Sequence, residues 1–194
     1  MQILTMPVGL YQTNCYMVWG EGERCVLIDP GYEANGLLEQ VEKQGKQLEA
    51  ILLTHGHFDH VGAVRDIVAD TGCKVYICDL EAALPEGLTA GKLYYTHSYN
   101  DGDQVEAAGL TFKVLHTPGH TPGGVCLLCE DAIFSGDTLF ASSIGRTDFP
   151  GGSYDTLKKS LQKLTALEGD FRVFPGHGED TTLDFERKTN PYLR

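Results

Sequence analysis

Apolar residues occur along the first third of the chain in short runs separated by turn residues. The runs at 2–6, 14–19 and 24–28 predict three β-strands, because strands are short β-prone segments bounded by glycine, proline and polar residues. Asp29-Pro30-Gly31 ends the third strand, since proline cannot continue a ladder. Further strands are predicted at 50–53, 74–78, 104–107, 110–116, 124–129, 132–135 and 172–174.

Apolar positions with helical spacing appear in four other segments. The predicted helices span residues 34–47, 59–71, 154–167 and 182–189. In the third of these helices Leu157, Leu161 and Leu164 fall on one stripe. Residues 80–100 form the least regular part of the chain, and a loop of this length inside a domain is often functional, for instance as a lid.

The order of these elements predicts an α/β fold in which a mixed sheet, or two sheets, carries helices on the outside. We find no linker, low-complexity segment or short-period repeat, so residues 1–194 are predicted to form one domain. At 194 residues and 42% hydrophobic content, the chain is long enough to bury a sizeable core. No stretch approaches the roughly 18 consecutive apolar residues of a membrane helix.

The net charge of the chain indicates which binding partners are disfavoured, and its cysteine content bears on the cellular compartment. The net charge is −12, from 15 Lys and Arg against 27 Asp and Glu, and such a surface repels nucleic-acid backbones and anionic lipid. The start of the chain lacks the basic flank and apolar run of a secretory signal, so a cytoplasmic location is expected. Six cysteines are then expected as free thiols. Cys126 and Cys129 lie three apart on a predicted strand, face opposite ways and are expected to be structural.

The densest polar cluster follows the predicted strand at 50–53. Three of the seven histidines lie in the segment Thr54-His55-Gly56-His57-Phe58-Asp59-His60. His55 and His57 are two apart, so extended backbone places their side chains on one face. Asp59 and His60 can turn toward them as the next helix begins. Imidazole and carboxylate groups suit Zn²⁺, Fe²⁺ or Mn²⁺, and the motif therefore predicts a metal site.

Three more segments place one metal-competent residue after an apolar strand and a glycine. They are Thr117-Pro118-Gly119-His120, Ser135-Gly136-Asp137 and Phe174-Pro175-Gly176-His177. Each pattern alone is also typical of an ordinary turn. Together with the first motif they provide seven nitrogen or oxygen ligands, which is too many for one tetrahedral zinc. The set suffices for two adjacent divalent metals with a shared carboxylate and a bridging hydroxide, and zinc is the expected metal, with iron and manganese as alternatives.

At these residues the sequence resembles the metallo-β-lactamase superfamily over nearly its whole length. The five motifs of that superfamily occur in order: Asp29, His55-x-His57-x-Asp59-His60, His120, Asp137 and His177. The resemblance implies an αββα four-layer sandwich, in which two mixed sheets flanked by helices hold the metals at one edge. By the same resemblance the first metal would be bound by His55, His57 and His120, and the second by Asp59, His60 and His177. Asp137 would bridge the two metals, and Asp29 would orient a ligand histidine.

Within the superfamily the strings around these residues are most similar to glyoxalase II-like thioesterases. Full-length glyoxalase II enzymes carry a C-terminal helical domain that helps to bind glutathione, whereas here only residues 190–194 follow the last predicted helix. The resemblance is therefore to the single-domain subgroup. It implies hydrolysis of a small acyl thioester such as S-lactoylglutathione by a metal-bridging hydroxide, with Asp59 as the catalytic residue that orients it. The loop residues considered for substrate binding are Lys92, Tyr94, Tyr95 and Arg146.

Two other readings of the site stay open. The string Gly145-Arg146-Thr147-Asp148-Phe149 also resembles a segment of persulfide dioxygenases of the same superfamily, which bind a single Fe(II) through equivalents of His55, His120 and Asp137. A metal-binding module without enzymatic activity is the alternative from a different class, although the complete ligand set argues against it.

Overall fold

Two six-stranded sheets dominate the computed structural model, which describes residues 1–193. The first sheet contains, in chain order and in spatial order, β1 (Gln2–Val8), β2 (Thr13–Trp19), β3 (Arg24–Ile28), β4 (Gln47–Leu52), β5 (Lys74–Ile77) and β6 (His97–Ser98). Strands β1 to β3 are antiparallel, and β3 to β6 run parallel. Parallel pairing requires crossover connections, and the helices after β3 and β4 occupy them.

The second sheet is built from the other half of the chain. The remaining strands are β7 (Gln104–Ala107), β8 (Leu110–His116), β9 (Val125–Cys129), β10 (Ala132–Gly136), β11 (Leu139–Phe140), β12 (Ser143–Ile144), β13 (Arg172–Pro175) and β14 (Thr181–Thr182). The order in the sheet is β14-β13-β10-β9-β8-β7, with β10 and β13 parallel, and β11 and β12 form a separate small hairpin. The carboxyl ends of β10 and β13 therefore lie side by side.

Three apolar clusters give the chain its layers. The helices are α1 (Ala34–Lys43), α2 (Phe58–Val61), α3 (Val64–Thr71), α4 (Tyr154–Thr165) and α5 (Leu183–Thr189). One cluster joins the facing sides of the two sheets, where Ile28 and Leu52 meet Phe112 and Phe134. A second packs α1 and α3 on the first sheet, and a third packs α4 and α5 on the second. The expected αββα sandwich with two mixed sheets is confirmed.

Several element boundaries differ from the sequence prediction. The first helix ends at Lys43 rather than at residue 47, because Gly45 adopts a left-handed turn (φ 64°) and Gln47 pairs with Arg24 in the sheet. The helix predicted over 59–71 is two helices, α2 and α3. Ala63 N–H donates to the carbonyl of Pro30, and a β-carbon on Gly62 would overlap the backbone of Gly31. The turn at Pro30-Gly31 therefore packs against Gly62 and Ala63, and the predicted helix is interrupted at this point.

The irregular segment 80–100 contains two short 3₁₀ helices, Asp79–Ala83 and Glu86–Leu88, before it reaches β6. The hairpin of β11 and β12 and the short strand β14 were not predicted, since two-residue strands carry no periodic signal. All six cysteines are free and buried, as expected. Cys126 lies in the cluster under α4 and Cys129 in the cluster between the sheets, so the two thiols do face opposite ways. Among residues 1–193 no helix is long and apolar enough to span a bilayer.

Candidate metal centre

The candidate ligands come from four loops at one edge of the two sheets. His55 and His57 follow β4, and Asp59 and His60 lie in α2 immediately afterwards. His120 follows β8, while Asp137 and His177 follow the adjacent parallel strands β10 and β13. Strand ends at the same edge bring these distant segments together, as in other open sheets. His60 is fully buried, and the other side chains are buried or only partly exposed.

Three histidines form the first group that can hold a metal ion. One ring nitrogen from each of His55, His57 and His120 lies within 4.8 Å of the other two. His120 Nε2 is 2.9 Å from His57 Nδ1, a contact between two ring nitrogens. The His55 ring lies 4.8 Å from the ring of His57 and 4.9 Å from that of His120, measured between centroids. Three nitrogens at this spacing match the ligand set of a metal ion with open positions.

Asp59, His60 and His177 form the second group, with the same 4.8 Å limit between ligand atoms. Oδ2 of Asp59 lies 3.2 Å from His177 Nε2 and 3.6 Å from His60 Nε2. Asp137 stands between the two groups. Its Oδ1 is 3.4 Å from His60 Nε2, and its Oδ2 is 3.4 Å from His120 Nε2. One carboxylate therefore reaches a histidine of each group.

The hydrogen bonds on the far side of each ring determine which nitrogen keeps its lone pair. His120 Nδ1 donates to the carbonyl of Arg146 at 2.7 Å, and His177 Nδ1 to the carbonyl of Tyr11 at 3.2 Å. Because a carbonyl oxygen only accepts, Nε2 of each neutral ring carries the lone pair and faces the site.

Asp29 orients two more of the histidines. Its carboxylate accepts the N–H and the hydroxyl of Thr54 at 2.8 and 2.5 Å, and His60 Nδ1 lies 2.9 Å away. The Thr54 hydroxyl is used as a donor to Asp29, so it accepts from His55 Nδ1 at 3.1 Å. Nε2 of His55 and of His60 is thereby left free toward the site. This is the contact expected of the residue that supports a ligand histidine.

The donor atoms at this site fit a divalent cation. Among the described residues, His55 Nε2, His57 Nε2, His60 Nε2 and Asp137 Oδ1 are buried without a hydrogen-bond partner. Buried polar atoms normally have a partner, and unpaired lone pairs that converge from several loops are what a cation would satisfy. Imidazole and carboxylate together suit zinc, iron or manganese.

The pKa shifts within the cluster also favour binding of a divalent cation. Burial lowers the pKa of His57 to about 4, with His120 and His60 adding to the effect, and burial also lowers the pKa of His55. Burial would raise the pKa of Asp137, but the neighbouring charge of His60 outweighs it and holds that pKa well below its usual range. In turn, burial would lower the pKa of His60, but the charges of Asp137 and Asp29 outweigh it and raise that pKa. Neutral His55 and His57 and ionised Asp137 are the protonation states that metal ligands require.

Two residues at the start of β2 belong to the site and were not predicted. The hydroxyl of Thr13 donates to Asp59 Oδ2 at 3.0 Å. The side-chain amide of Asn14 donates to the carbonyls of Pro175 and Gly178 at 3.0 and 2.9 Å, and so holds the loop that carries His177. The available signal in the sequence was the polar pair Thr13-Asn14 at the start of an apolar run, a pattern that is also typical of an ordinary strand end.

A cavity of about 520 Å³ opens over both metal groups, within the usual size range of small-molecule sites. Its walls are mainly apolar. It is lined by Tyr11, His57, Phe58, Asp59, Leu88, His120, Asp137, Phe140, Ser143, Ile144, Arg146, Phe149 and His177. Most of the apolar wall comes from loops and from the unpredicted hairpin of β11 and β12.

The four substrate-binding candidates do not lie together. Arg146 lines the cavity, stacks on Phe149 at 3.8 Å and makes a bidentate pair with Asp148, both bonds being 2.7 Å long. Lys92, Tyr94 and Tyr95 are not among the lining residues. Arg65 donates to the Lys92 carbonyl at 2.6 Å and lies over the ring of Tyr94, so Lys92 and Tyr94 lie beside α3.

Comparison with known proteins agrees with this geometry. The family model described as the metallo-β-lactamase superfamily matches residues 8–177. The hydroxyacylglutathione hydrolase GloC of Haemophilus influenzae is 36% identical over 208 residues, covering 100% of this chain and 98% of that protein. The chain belongs to the metallo-β-lactamase superfamily, as its motifs implied.

Two solved structures cover almost the whole chain. The B3 metallo-beta-lactamase BLEG-1 is 33% identical, covers 99% of each chain and superimposes with a TM-score of 0.92. TTHA1623 in a di-iron-bound form is 40% identical, with 98% of this chain and 100% of that chain covered and a TM-score of 0.88. Together with the ligand groups, these relatives identify the protein as a metallo-hydrolase of this superfamily.

Proposed function

We propose that the protein is a two-metal hydrolase of small acyl thioesters, of which S-lactoylglutathione is the first to test. The observation that carries the proposal is that two triplets of potential metal ligands lie on either side of Asp137. Within them, Nε2 of His55, of His57 and of His60 is buried without a hydrogen-bond partner. The name of the GloC relative, a hydroxyacylglutathione hydrolase, supports this choice of substrate.

The metal-binding roles follow from the two triplets. His55, His57 and His120 would hold one divalent cation, Asp59, His60 and His177 the other, and Asp137 would contact both. When bound, such a pair of cations supplies a water with a pKa lowered toward ~7 and a Lewis acid for the carbonyl oxygen. Zinc is the metal proposed, and the di-iron form of TTHA1623 makes iron the first alternative.

The protein's own groups position the reactants. Thr13 donates to one oxygen of Asp59 and so fixes its carboxylate. The Asp59 carboxylate would orient the attacking water toward the thioester carbonyl carbon and accept a proton from it, and as the new C–O bond forms the C–S bond breaks and the thiolate leaves. Phe58, Phe140 and Phe149 form apolar walls that exclude bulk water from the acyl group. Arg146 is the cation at the cavity mouth and would attract a carboxylate on the thiol half of the substrate.

The test is loss of thioester absorbance when S-lactoylglutathione is added to zinc-loaded protein. We expect turnover in the wild type and a fall of about 10²- to 10⁴-fold in Asp59→Asn, as for removal of a group that handles the proton. Asp70→Asn, an exposed carboxylate on α3, is the matched control and should behave as wild type. Near-normal turnover in Asp59→Asn would contradict the mechanism. A β-lactam belongs in the same panel because BLEG-1 is described as a lactamase.

Persulfide oxygenation by a single Fe(II) is the second candidate. It is favoured by the string at 145–149, whose Arg146 and Phe149 line the cavity, and by the presence of His55, His120 and Asp137 in the site. Metal analysis and an oxygen electrode separate the two proposals. One iron per chain with persulfide-dependent oxygen uptake would favour the dioxygenase, whereas two metals and thioester turnover without oxygen uptake would favour the hydrolase.

A further inference from the structure

Glu81 is a fully buried carboxylate that the proposed chemistry does not use. It lies in the 3₁₀ helix Asp79–Ala83, within the irregular segment that follows β5, and its exposed fraction is 0%. A charged side chain is rarely buried so completely unless its oxygens are paired. Its partners therefore indicate what it does.

Both oxygens of Glu81 accept backbone N–H groups from loops that carry metal-binding histidines. Oε2 accepts from Gly56 at 2.6 Å, and Oε1 accepts from Gly123 at 2.6 Å. Gly56 lies between His55 and His57, and Gly123 lies three residues after His120. One carboxylate thus joins the two loops that supply the first triplet of histidines.

The two glycines allow this approach. A β-carbon at Gly123 would lie 2.8 Å from Glu81 Oε1, and one at Gly56 would lie 3.1 Å from Oε2 and 3.0 Å from a methyl group of Leu93. Gly56 does not have a positive φ, so close packing rather than backbone freedom accounts for a glycine at this position. The glycine between His55 and His57 is thereby explained by its contact with Glu81, which lies 25 residues further along the chain.

We propose that Glu81 is a positioning residue that sets the distance between the His55–His57 loop and the His120 loop. The proposal rests on the metal centre of the proposed function, because it assigns Glu81 a role in assembling one half of that centre. Charge-assisted bonds from N–H groups to a carboxylate are short and strong, and losing the acceptor would leave two buried N–H groups unpaired. The loops would then be free to move apart.

Three substitutions of Glu81 test separately the negative charge of the side chain, its length and the presence of its hydrogen bonds. Glu81→Gln keeps the shape but turns an amide NH₂ toward one of the two N–H donors, so only one loop keeps its acceptor. Glu81→Asp keeps the charge but is one methylene too short to reach both loops. Glu81→Ala removes both bonds. Glu86→Gln, an exposed carboxylate in the same segment, is the matched control.

A second control accounts for general loss of stability. Leu161→Val removes one buried methylene from the cluster under α4, a cluster that contains no candidate metal ligand. It should lower the melting temperature of the metal-free protein without changing the affinity for metal. If Glu81 were merely structural, its variants would behave like Leu161→Val.

The first measurement uses metal-free protein and the amide resonances of Gly56 and Gly123 in a ¹H–¹⁵N spectrum. In the wild type we expect both protons downfield, as for short bonds to a carboxylate, and in Glu81→Gln at least one should move upfield and exchange faster with solvent. This measurement requires neither bound metal nor catalytic turnover.

The second measurement is titration of metal-free protein with Co²⁺, followed by its visible absorption. We expect Glu81→Gln and Glu81→Ala to weaken at least one of the dissociation constants by about 10- to 100-fold, the usual effect of losing a group that supports metal ligands. Glu81→Asp should be intermediate, and Glu86→Gln and Leu161→Val should match the wild type.

The outcomes distinguish the role of Glu81 from the proposed function. Wild type that binds Co²⁺ with the same affinity as Glu81→Gln would overturn the positioning role and leave the metal centre intact. Unchanged Gly56 and Gly123 resonances in Glu81→Gln would overturn it as well. Wild type that takes up no Co²⁺ would overturn the proposed function itself, and the role of Glu81 with it.

Discussion

Asp29 Oδ2 lies 2.9 Å from Nδ1 of His60, although the two residues are 31 positions apart and lie on different loops. The same carboxylate accepts the N–H and hydroxyl of Thr54, which in turn contacts His55. A single buried carboxylate thus orients one histidine in each candidate metal-binding triplet, His60 directly and His55 through Thr54. Its loss should affect both halves of the site.

Replacing Asp29 by Asn is expected to weaken metal binding without disturbing the backbone. Asp29 has φ 52°, in the left-handed region that asparagine tolerates, so Asp29→Asn isolates the loss of charge, whereas Asp29→Ala adds backbone strain. We expect zinc dissociation constants about 10- to 100-fold higher in Asp29→Asn, measured by competition with a chelator. Affinity equal to that of the Asp70→Asn control would contradict this role.

Replacing His177 by Ala should remove part of one metal site only. His177 is the most exposed member of the second triplet, whereas the three histidines of the other triplet are buried. We expect metal content after dialysis to fall from two ions toward about one per chain, measured by elemental analysis, because each site keeps its own ligands. His97→Ala, an exposed histidine stacked on Tyr76, is the control and should retain the wild-type content.

Arg146 is expected to act on substrate affinity rather than on the chemical step. Lysine keeps the charge but cannot make the bidentate pair with Asp148 that holds the Arg146 guanidinium at the cavity. Arg146→Lys should therefore raise KM by about 10-fold with little change in kcat. Arg172→Lys is a matched control, since Arg172 makes a similar bidentate pair with Asp131 on a strand that contributes no lining residue. A drop in kcat without a change in KM would argue against substrate binding by Arg146.

The stability contributed by Asp101 should depend on pH in a defined direction. Burial tends to raise the pKa of this carboxyl, but the N–H of His116 and the ammonium of Lys163 outweigh it and hold the pKa below 3.8, its ordinary value. The contribution is therefore present above pH 3.8 and is lost as the pH falls through the lower value of the folded state.

Asp101→Asn should accordingly be less stable than the wild type at pH 7, by less than about 1 kcal/mol because the Lys163 pair is exposed and screened. The difference should shrink as the pH is lowered through 4 to 3. Urea unfolding of metal-free protein at these pH values measures it. A difference that grows on acidification would contradict the assignment.

The candidate ligands were predictable because each one follows an apolar strand in a local pattern. His55, His57, Asp59 and His60 lie within one hexapeptide, and His120, Asp137 and His177 each follow a strand and a glycine. Strand ends of one edge meet wherever the sheets form, so the approximate gathering of these residues required little knowledge of the packing. Lys92 was a weaker prediction, because a loop cation carries no signal of the direction it faces.

The sequence by itself determined the types of ligand residue and the alternation of strands and helices that is typical of an α/β fold. Only the tertiary structure decided which ring nitrogens face inward, since that depends on carbonyls of Tyr11 and Arg146 from other loops. It also decided that α2 and α3 separate at Gly62, where another turn crosses, and that Glu81 reaches Gly56 and Gly123. These contacts join residues far apart in the chain, and the packing of the layers rather than any local pattern brings them into contact.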